Sequence, residues 1–123
     1  KALGVLNNIE KSVKNSKILI LGVAYKKHVD DFRESPSLEI MKILNKNGAS
    51  LSYSDPYINK LENINGLGDL NSIELTKQNL KSFDLTILLT DHDEFDYELI
   101  ENNSNAIVDA RGRFQESDIV TRA

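Results

Sequence analysis

The sequence predicts an α/β fold, a single domain built on one open parallel β-sheet with helices on both faces. Three observations carry that expectation. Runs such as Lys17–Tyr25 (KILILGVAY) and Asp84–Thr90 (DLTILLT) are of strand length and almost wholly apolar or β-branched, the pattern of strands covered on both faces. Between the strand-like runs stand segments whose apolar residues recur three and four apart, as on one face of a helix. The two patterns alternate along the chain, which is how a Rossmann-like sheet of parallel strands joined by helical crossovers is written in sequence.

Each element has a local reason. Lys1–Val13 carries Leu3, Leu6, Ile9 and Val13 as a helical stripe, with no initiator methionine ahead of it. Residues 1–16 are therefore expected to be the end of a linking helix from a longer protein, and 17–123 the domain that follows. Lys17–Tyr25 is the first strand, ended by the polar segment Lys26–Glu34. Ser35-Pro36 marks a helix start, serine as N-cap and proline at the first helical position. Glu39 sits one place too late for a strict capping box. Leu38, Ile40, Met41, Ile43 and Leu44 supply the packing face, and Asn47-Gly48 closes the helix because glycine fits the left-handed position after it. Ala49–Tyr53 is a second strand, stopped at Asp55-Pro56. Asn59–Asn71, rich in Asn and Gly, reads as loop, and Ser72–Thr76 as a minor strand. Lys77–Phe83 is a short helix and Asp84–Thr90 a strand. Glu94–Glu101 is a helix with Phe95, Leu99 and Ile100 facing inward, and Ala106–Ala110 is a final strand before Arg111-Gly112-Arg113.

Composition narrows the function. The chain has 123 residues, 40% apolar and 28% charged, the size and composition of one folded domain. A net charge of −4 without a basic stripe argues against nucleic acid as a partner. No apolar run approaches the ~20 residues of a membrane helix, and the N-terminus has no signal-peptide pattern, so no membrane partner and a cytoplasmic location are expected. The absence of cysteine excludes disulfides, cysteine-based zinc sites and a thiol nucleophile within this chain.

Ligands of open α/β sheets bind beyond the carboxyl ends of the strands, near the point where strand order reverses. Tyr25–Arg33, Asp91–Phe95 and Asp109–Arg113 arrive at that edge. The first of them lacks G-x-G-x-x-G: Gly22-Val23-Ala24-Tyr25-Lys26 holds a single glycine, so NAD is not expected to be cradled there in the usual manner. Lys26, Lys27 and Arg33 stand ahead of a helix start instead. Such cations suit a phosphate, and they equally suit an ordinary solvated loop. Tyr25 can stack on a flat ring or close the edge of the core. Arg111 can grip a phosphate or a sugar hydroxyl pair through two parallel hydrogen bonds, or form an ion pair with Asp109 or another carboxylate. Asp91-His92-Asp93 reads as loop and cap residues ahead of acid–base or metal chemistry, because His28 is the only other histidine. Asp30 and Asp31 read as solvated, or as partners for Arg33. No catalytic residue and no metal site are expected in the chain.

Gly22–Pro36 taken as one string is GVAYKKHVDDFRESP. The helix SLEIMKILNKNGA, the strand end YSDPY, the segment LLTDHDEFDY and the closing VDARG follow in order. From Lys17 to Arg113 this resembles the UDP-binding C-terminal domain of the UDP-glucose/GDP-mannose dehydrogenase family. Within that family it looks most similar to the UDP-N-acetylglucosamine 6-dehydrogenases, with UDP-N-acetylmannosamine and UDP-glucose dehydrogenases as near alternatives. The resemblance implies an enzyme that oxidises the C6 alcohol of a UDP-sugar to the uronic acid in two hydride transfers to two NAD molecules. Its Rossmann N-terminal domain would bind NAD, and a cysteine would carry the covalent intermediates. Since this chain has neither fingerprint nor cysteine, the resemblance implies a UDP-sugar-binding fragment that is not catalytic alone. Its partners would be the N-terminal domain of the same enzyme and, in the full-length protein, further copies in a homo-oligomer serving polysaccharide biosynthesis. By the same resemblance Tyr25, Lys26 and Arg111 would contact the substrate, and Arg33 would reach NAD across the interdomain cleft. The family's usual D-G-R is Asp109-Ala110-Arg111 here, and alanine allows less backbone freedom. A reading from another class stays open, an assembly or scaffold module of such an enzyme with little ligand binding of its own.

Overall fold

The computed structural model describes residues 13–33 and 35–123. The helix expected over Lys1–Val13 lies outside them except for its last residue. Of the linking helix expected over residues 1–16, only 13–16 are described. They form a turn, Ser16 N–H donating to the Val13 carbonyl (2.9 Å), that leads into the first strand.

In chain order the elements are β1 (Lys17–Leu21), α1 (Pro36–Lys46), β2 (Ser50–Ser54), β3 (Lys60–Ile64), β4 (Gly68–Asn71), α2 (Lys77–Lys81), β5 (Leu85–Leu88), α3 (Tyr97–Asn103), β6 (Ile107–Asp109) and β7 (Val120–Arg122). Five strands form one sheet in the order β2-β1-β5-β6-β7, and every neighbouring pair is parallel. Alternation along the central strands sorts the core into two halves. Ile18, Ile20 and Ile87 face Leu38, Ile40, Met41 and Leu44 of α1. Leu19, Leu21, Leu88 and Ile107 face the other way, onto Leu80 of α2, Ile100 of α3 and the rings of Phe83, Phe95 and Phe114. Each such fully buried aliphatic side chain is stabilising by about 1.5–3 kcal/mol. The expected architecture, one parallel sheet with helices on both faces, is the one observed.

The start of α1 follows the expectation in detail. Ser35 is the N-cap in extended conformation, its hydroxyl accepting from the Ser37 N–H (3.1 Å), with Pro36 opening the helix. Gly48 follows the helix at φ 98°, a left-handed conformation suited to glycine.

The structure departs from the sequence reading at five places. β1 stops at Leu21 instead of running to Tyr25, because Gly22 turns out of the strand at φ 89° and the next two amides bond to a side chain. The expected loop Asn59–Asn71 is an antiparallel hairpin, β3 with β4, that lays Leu61, Ile64, Leu67 and Leu70 onto the α1 side of the core. Its turn holds Asn65-Gly66, a strong short-range hairpin signal, with Gly66 at φ 88°. The minor strand expected at Ser72–Thr76 is a single bridge between Ser72 and Tyr53. Helix α3 starts at Tyr97, three residues later than expected, because Asp96 and not an earlier residue caps it by accepting from the Leu99 N–H (3.0 Å). The edge strand β7, unforeseen, pairs with β6 over three residues.

Gly22 is the tightest backbone position. A Cβ there would lie 2.5 Å from both the carbonyl oxygen and Cβ of Thr90. Gly22→Ala combines that overlap with a strained φ, and is expected to cost about 3 kcal/mol or more. Urea unfolding of the purified variant measures it.

Candidate functional site

Strand order reverses between β1 and β5: the chain leaves β1 for β2 on one side and leaves β5 for β6 on the other. The loops after β1 and β5 therefore part, and a hollow of about 200 Å³ lies at the rim. Ala24 and Tyr25 wall it from the first loop, Pro36, Ser37 and Ile40 from α1, Leu89 and Thr90 from the β5 end, and Ala110 and Arg111 from the β6 end. The structure thus brings Tyr25 and Arg111 together. Tyr25 is 55% exposed, so it does not close the core, and it is the one exposed large apolar side chain among the described residues. Lys26 follows it on the same exposed loop, outside the lining of the hollow.

Arg111 is half exposed and pairs with Asp91 (Nε to Oδ1, 3.4 Å), not with Asp109. The Asp109 carboxylate is buried and serves the backbone instead, accepting from the N–H groups of Arg111 (2.9 Å), Gly112 (2.8 Å) and Phe114 (2.7 Å). This turns the chain so that Arg111 faces the hollow. Ala110 is not among the residues of positive φ, so alanine fits here without strain. Arg33 stands apart, on a second hollow with Ser35, Leu38, Glu39 and Lys42 that shares Pro36 with the first. Its guanidinium bonds to Asp31 (3.1 and 3.2 Å), the partnership the sequence offered, and those bonds hold the Asp31 carboxyl below its usual range.

What shapes the rim is a pair that the sequence reading left in the background. Asp55, only 2% exposed at the end of β2, accepts at Oδ2 from the N–H groups of Val23 (2.8 Å) and Ala24 (3.0 Å), and at Oδ1 from that of Tyr57 (2.8 Å). The fully buried His92 lies against the same carboxylate, Nε2 to Oδ2 3.0 Å. Its Nδ1 accepts from the backbone N–H of His28 (3.0 Å), which sits in a left-handed conformation at φ 66°. Burial by itself would raise the Asp55 pKa; the bond from His92 and the N–H groups of Tyr57 and Val23 outweigh it and hold the carboxyl below the usual range.

The residues either side of His92 complete a bracket. Asp91 lies between Arg111 (3.4 Å) and Arg113 (3.5 Å). Asp93 pairs with Arg113 (3.1 Å) and with His28 (2.8 Å), while Tyr57 donates from its hydroxyl to Glu94. The Arg113 guanidinium rests 4.3 Å from the centre of the Tyr97 ring. Asp91-His92-Asp93 therefore ties the loops after β1, β5 and β6 together. No group of three or more metal-ligating side chains converges among the described residues. A dinucleotide pyrophosphate does not fit the first loop, because the Val23 and Ala24 amides that would face an anion already serve Asp55.

Asp55 supplies a pH test. Its depressed native pKa means that its contribution to stability is present above the ordinary carboxylate pKa of about 4 and is lost as pH falls through the native value. Asp55→Asn is expected to lower the urea midpoint at pH 7, with the gap to wild type shrinking as pH is taken down to about 3.

Comparison with known proteins agrees with this geometry. Residues 19–116 match the UDP-glucose/GDP-mannose dehydrogenase family, UDP binding domain. A UDP-N-acetyl-D-mannosamine dehydrogenase of Methanococcus maripaludis is 36% identical over 92 residues, covering 74% of this chain and 20% of that protein. A UDP-glucose 6-dehydrogenase of Caenorhabditis elegans is 28% identical over 123 residues, covering 87% of this chain and 26% of that protein. The solved UDP-D-ManNAc dehydrogenase from Pyrococcus horikoshii shares the fold, with a TM-score of 0.71 at 24% identity over 98% of this chain and 29% of that one. The chain spans about a fifth to a quarter of the length of these curated relatives. With the family match running through β1, α1, β5 and the Arg111 loop, the chain belongs to the UDP-glucose/GDP-mannose dehydrogenase family, as its UDP binding domain.

Proposed function

We propose that residues 17–123 are the C-terminal, UDP-holding domain of an NAD-dependent UDP-sugar 6-dehydrogenase, an enzyme that oxidises the sugar's C6 alcohol to the uronic acid. The observation that carries this is the hollow at the switch point, whose lining includes both an exposed aromatic residue and a half-exposed arginine. Tyr25 offers its face to the uracil ring. Arg111 grips the diphosphate through parallel N–H donors, and the start of α1 adds the favourable field of a helix N-terminus. Lys26, on the rim, adds positive charge to the approach.

The volume supports a shared site. About 200 Å³ falls below the ~300–1,000 Å³ of pockets that enclose a small molecule. The sugar and NAD are then held mainly by the N-terminal domain of the same enzyme, with Arg33, on the neighbouring hollow, the residue that reaches toward NAD. The full-length enzyme is proposed to be a cytoplasmic homo-oligomer in polysaccharide biosynthesis. The sequence strings lean to UDP-N-acetylglucosamine and the relatives' names to UDP-N-acetylmannosamine or UDP-glucose. We take the substrate to be a UDP-hexose of this group, its sugar lying beyond the contacts this chain makes.

Titration with UDP, followed by protein NMR, is expected to shift Tyr25–Arg33 and Arg111 together. Arg111→Ala should weaken UDP by about tenfold and Tyr25→Ala by severalfold. The chain alone should form no NADH from a UDP-sugar and NAD. Absence of shifts at millimolar UDP, with a concentration-dependent dimer in sedimentation, overturns the reading in favour of an assembly module.

A further inference from the structure

We propose that His92 is the positioning residue of the nucleotide hollow: held as its Nε2–H tautomer, it locks the loop bearing Tyr25 into its bound shape before ligand arrives. The inference rests on the proposed UDP site and adds to it a residue that touches no ligand.

The tautomer follows from the hydrogen bonds. A backbone N–H can only donate, so the His28 amide at 3.0 Å requires an unprotonated Nδ1. The remaining ring proton is on Nε2, aimed at Asp55 Oδ2 at 3.0 Å. His92 is thus a neutral donor to one partner and an acceptor from another, both on elements other than its own. The Asp55 oxygen it bonds is the one holding the Val23 and Ala24 amides. The Ala24 carbonyl is fixed in turn by the hydroxyls of Thr90 (2.9 Å) and Ser35 (3.4 Å). Ala24 is therefore tied at both ends of its backbone, and the next residue is Tyr25. On the far side of the loop, the His28 amide bond pins a backbone in the left-handed region at φ 66°, uncommon for a residue other than glycine. The rings of Tyr57 (5.0 Å) and Phe95 (5.6 Å) flank the imidazole and fix its plane. A preordered loop binds more tightly because its ordering entropy is not lost on binding.

Three variants separate positioning from bulk. His92→Phe keeps the aromatic volume and loses both bonds. His92→Gln offers an N–H at the Nε2 position toward Asp55, while its carbonyl oxygen sits one bond further out than Nδ1 and so off the His28 amide. Asp55→Asn keeps the shape and loses the charge. In wild type, imidazole ¹⁵N shifts at neutral pH should report Nε2–H with a bare Nδ1; a protonated Nδ1 overturns the proposal. His92→Gln should speed exchange of the His28 amide by about tenfold, while the Ile20 amide in β1 keeps its protection. His92→Phe and Asp55→Asn should also release Val23 and Ala24, and each should weaken UDP by about threefold to tenfold. Folded His92→Phe with wild-type UDP affinity overturns the proposal. If His92→Phe does not fold, the tautomer and the exchange pattern of His92→Gln decide. If wild type binds no UDP, the function proposed above fails, while the tautomer and amide exchange still test the lock.

Discussion

The rim of this molecule depends on one buried carboxylate. Removing an ionised carboxyl from water is expensive unless its lone pairs are fully engaged. Asp55 meets that condition with four N–H donors, from Val23, Ala24, Tyr57 and His92. Satisfying them dictates the path of the chain. β1 has to end at Leu21, Gly22 has to turn, and the two amides that follow have to point at the neighbouring strand's end. The loop that presents Tyr25 is a consequence of where Asp55 needs hydrogen bonds. The donors come from the loops after β1, β2 and β5, so one side chain ties together the loops that leave three neighbouring strands.

Around that centre the charges are arranged by pairing with neighbours. The chain is acidic overall, yet Arg111 and Arg113 both lie at the rim because Asp91 and Asp93 hold them there. Asp109 does a different task with the same chemistry, bending the backbone after β6 through three N–H groups. Exposed ion pairs of this kind add little to stability. Their effect is geometric: they limit where two long, flexible side chains can go.

The large features were legible in the sequence because they rest on short-range physics. β1 and β5 announce themselves as apolar runs, and α1 carries its cap, its proline and its closing glycine within its own span. Tyr25 and Arg111 were legible as residues of segments that arrive at the carboxyl edge of the sheet, although β1 stops four residues before Tyr25. The hairpin β3–β4 carried a signal, Asn65-Gly66 between apolar residues, that the abundance of Asn and Gly masked. The role of Asp55 had no comparable signal. Its partners Val23 and His92 lie 32 and 37 residues away. In sequence it is simply a polar residue before a proline, and His92 a polar residue between two aspartates. Buried polar pairs are made by the fold, and only the fold shows that each completes the other.

The same constraint explains how one sheet architecture can serve two kinds of nucleotide site. In a dinucleotide-binding loop the amides after the first strand face an external anion, and glycines let that anion approach. Here the anion is internal. With Asp55 on the Val23 and Ala24 amides, the loop has no backbone donors left there for a phosphate, and its apolar Val23 and Ala24 can be buried instead of being kept small for a ligand. Under the proposed function, a nucleotide at this rim is held by side chains in place of those amides, a ring for the base and a guanidinium for the phosphates. Side-chain grips depend on how firmly their backbone is set, and that is what an internal carboxylate supplies and a glycine-rich loop does not. Replacing the external anion by an internal one converts a flexible cradle into a fixed wall, and a fixed wall can act as one half of a site whose other half lies on a separate body.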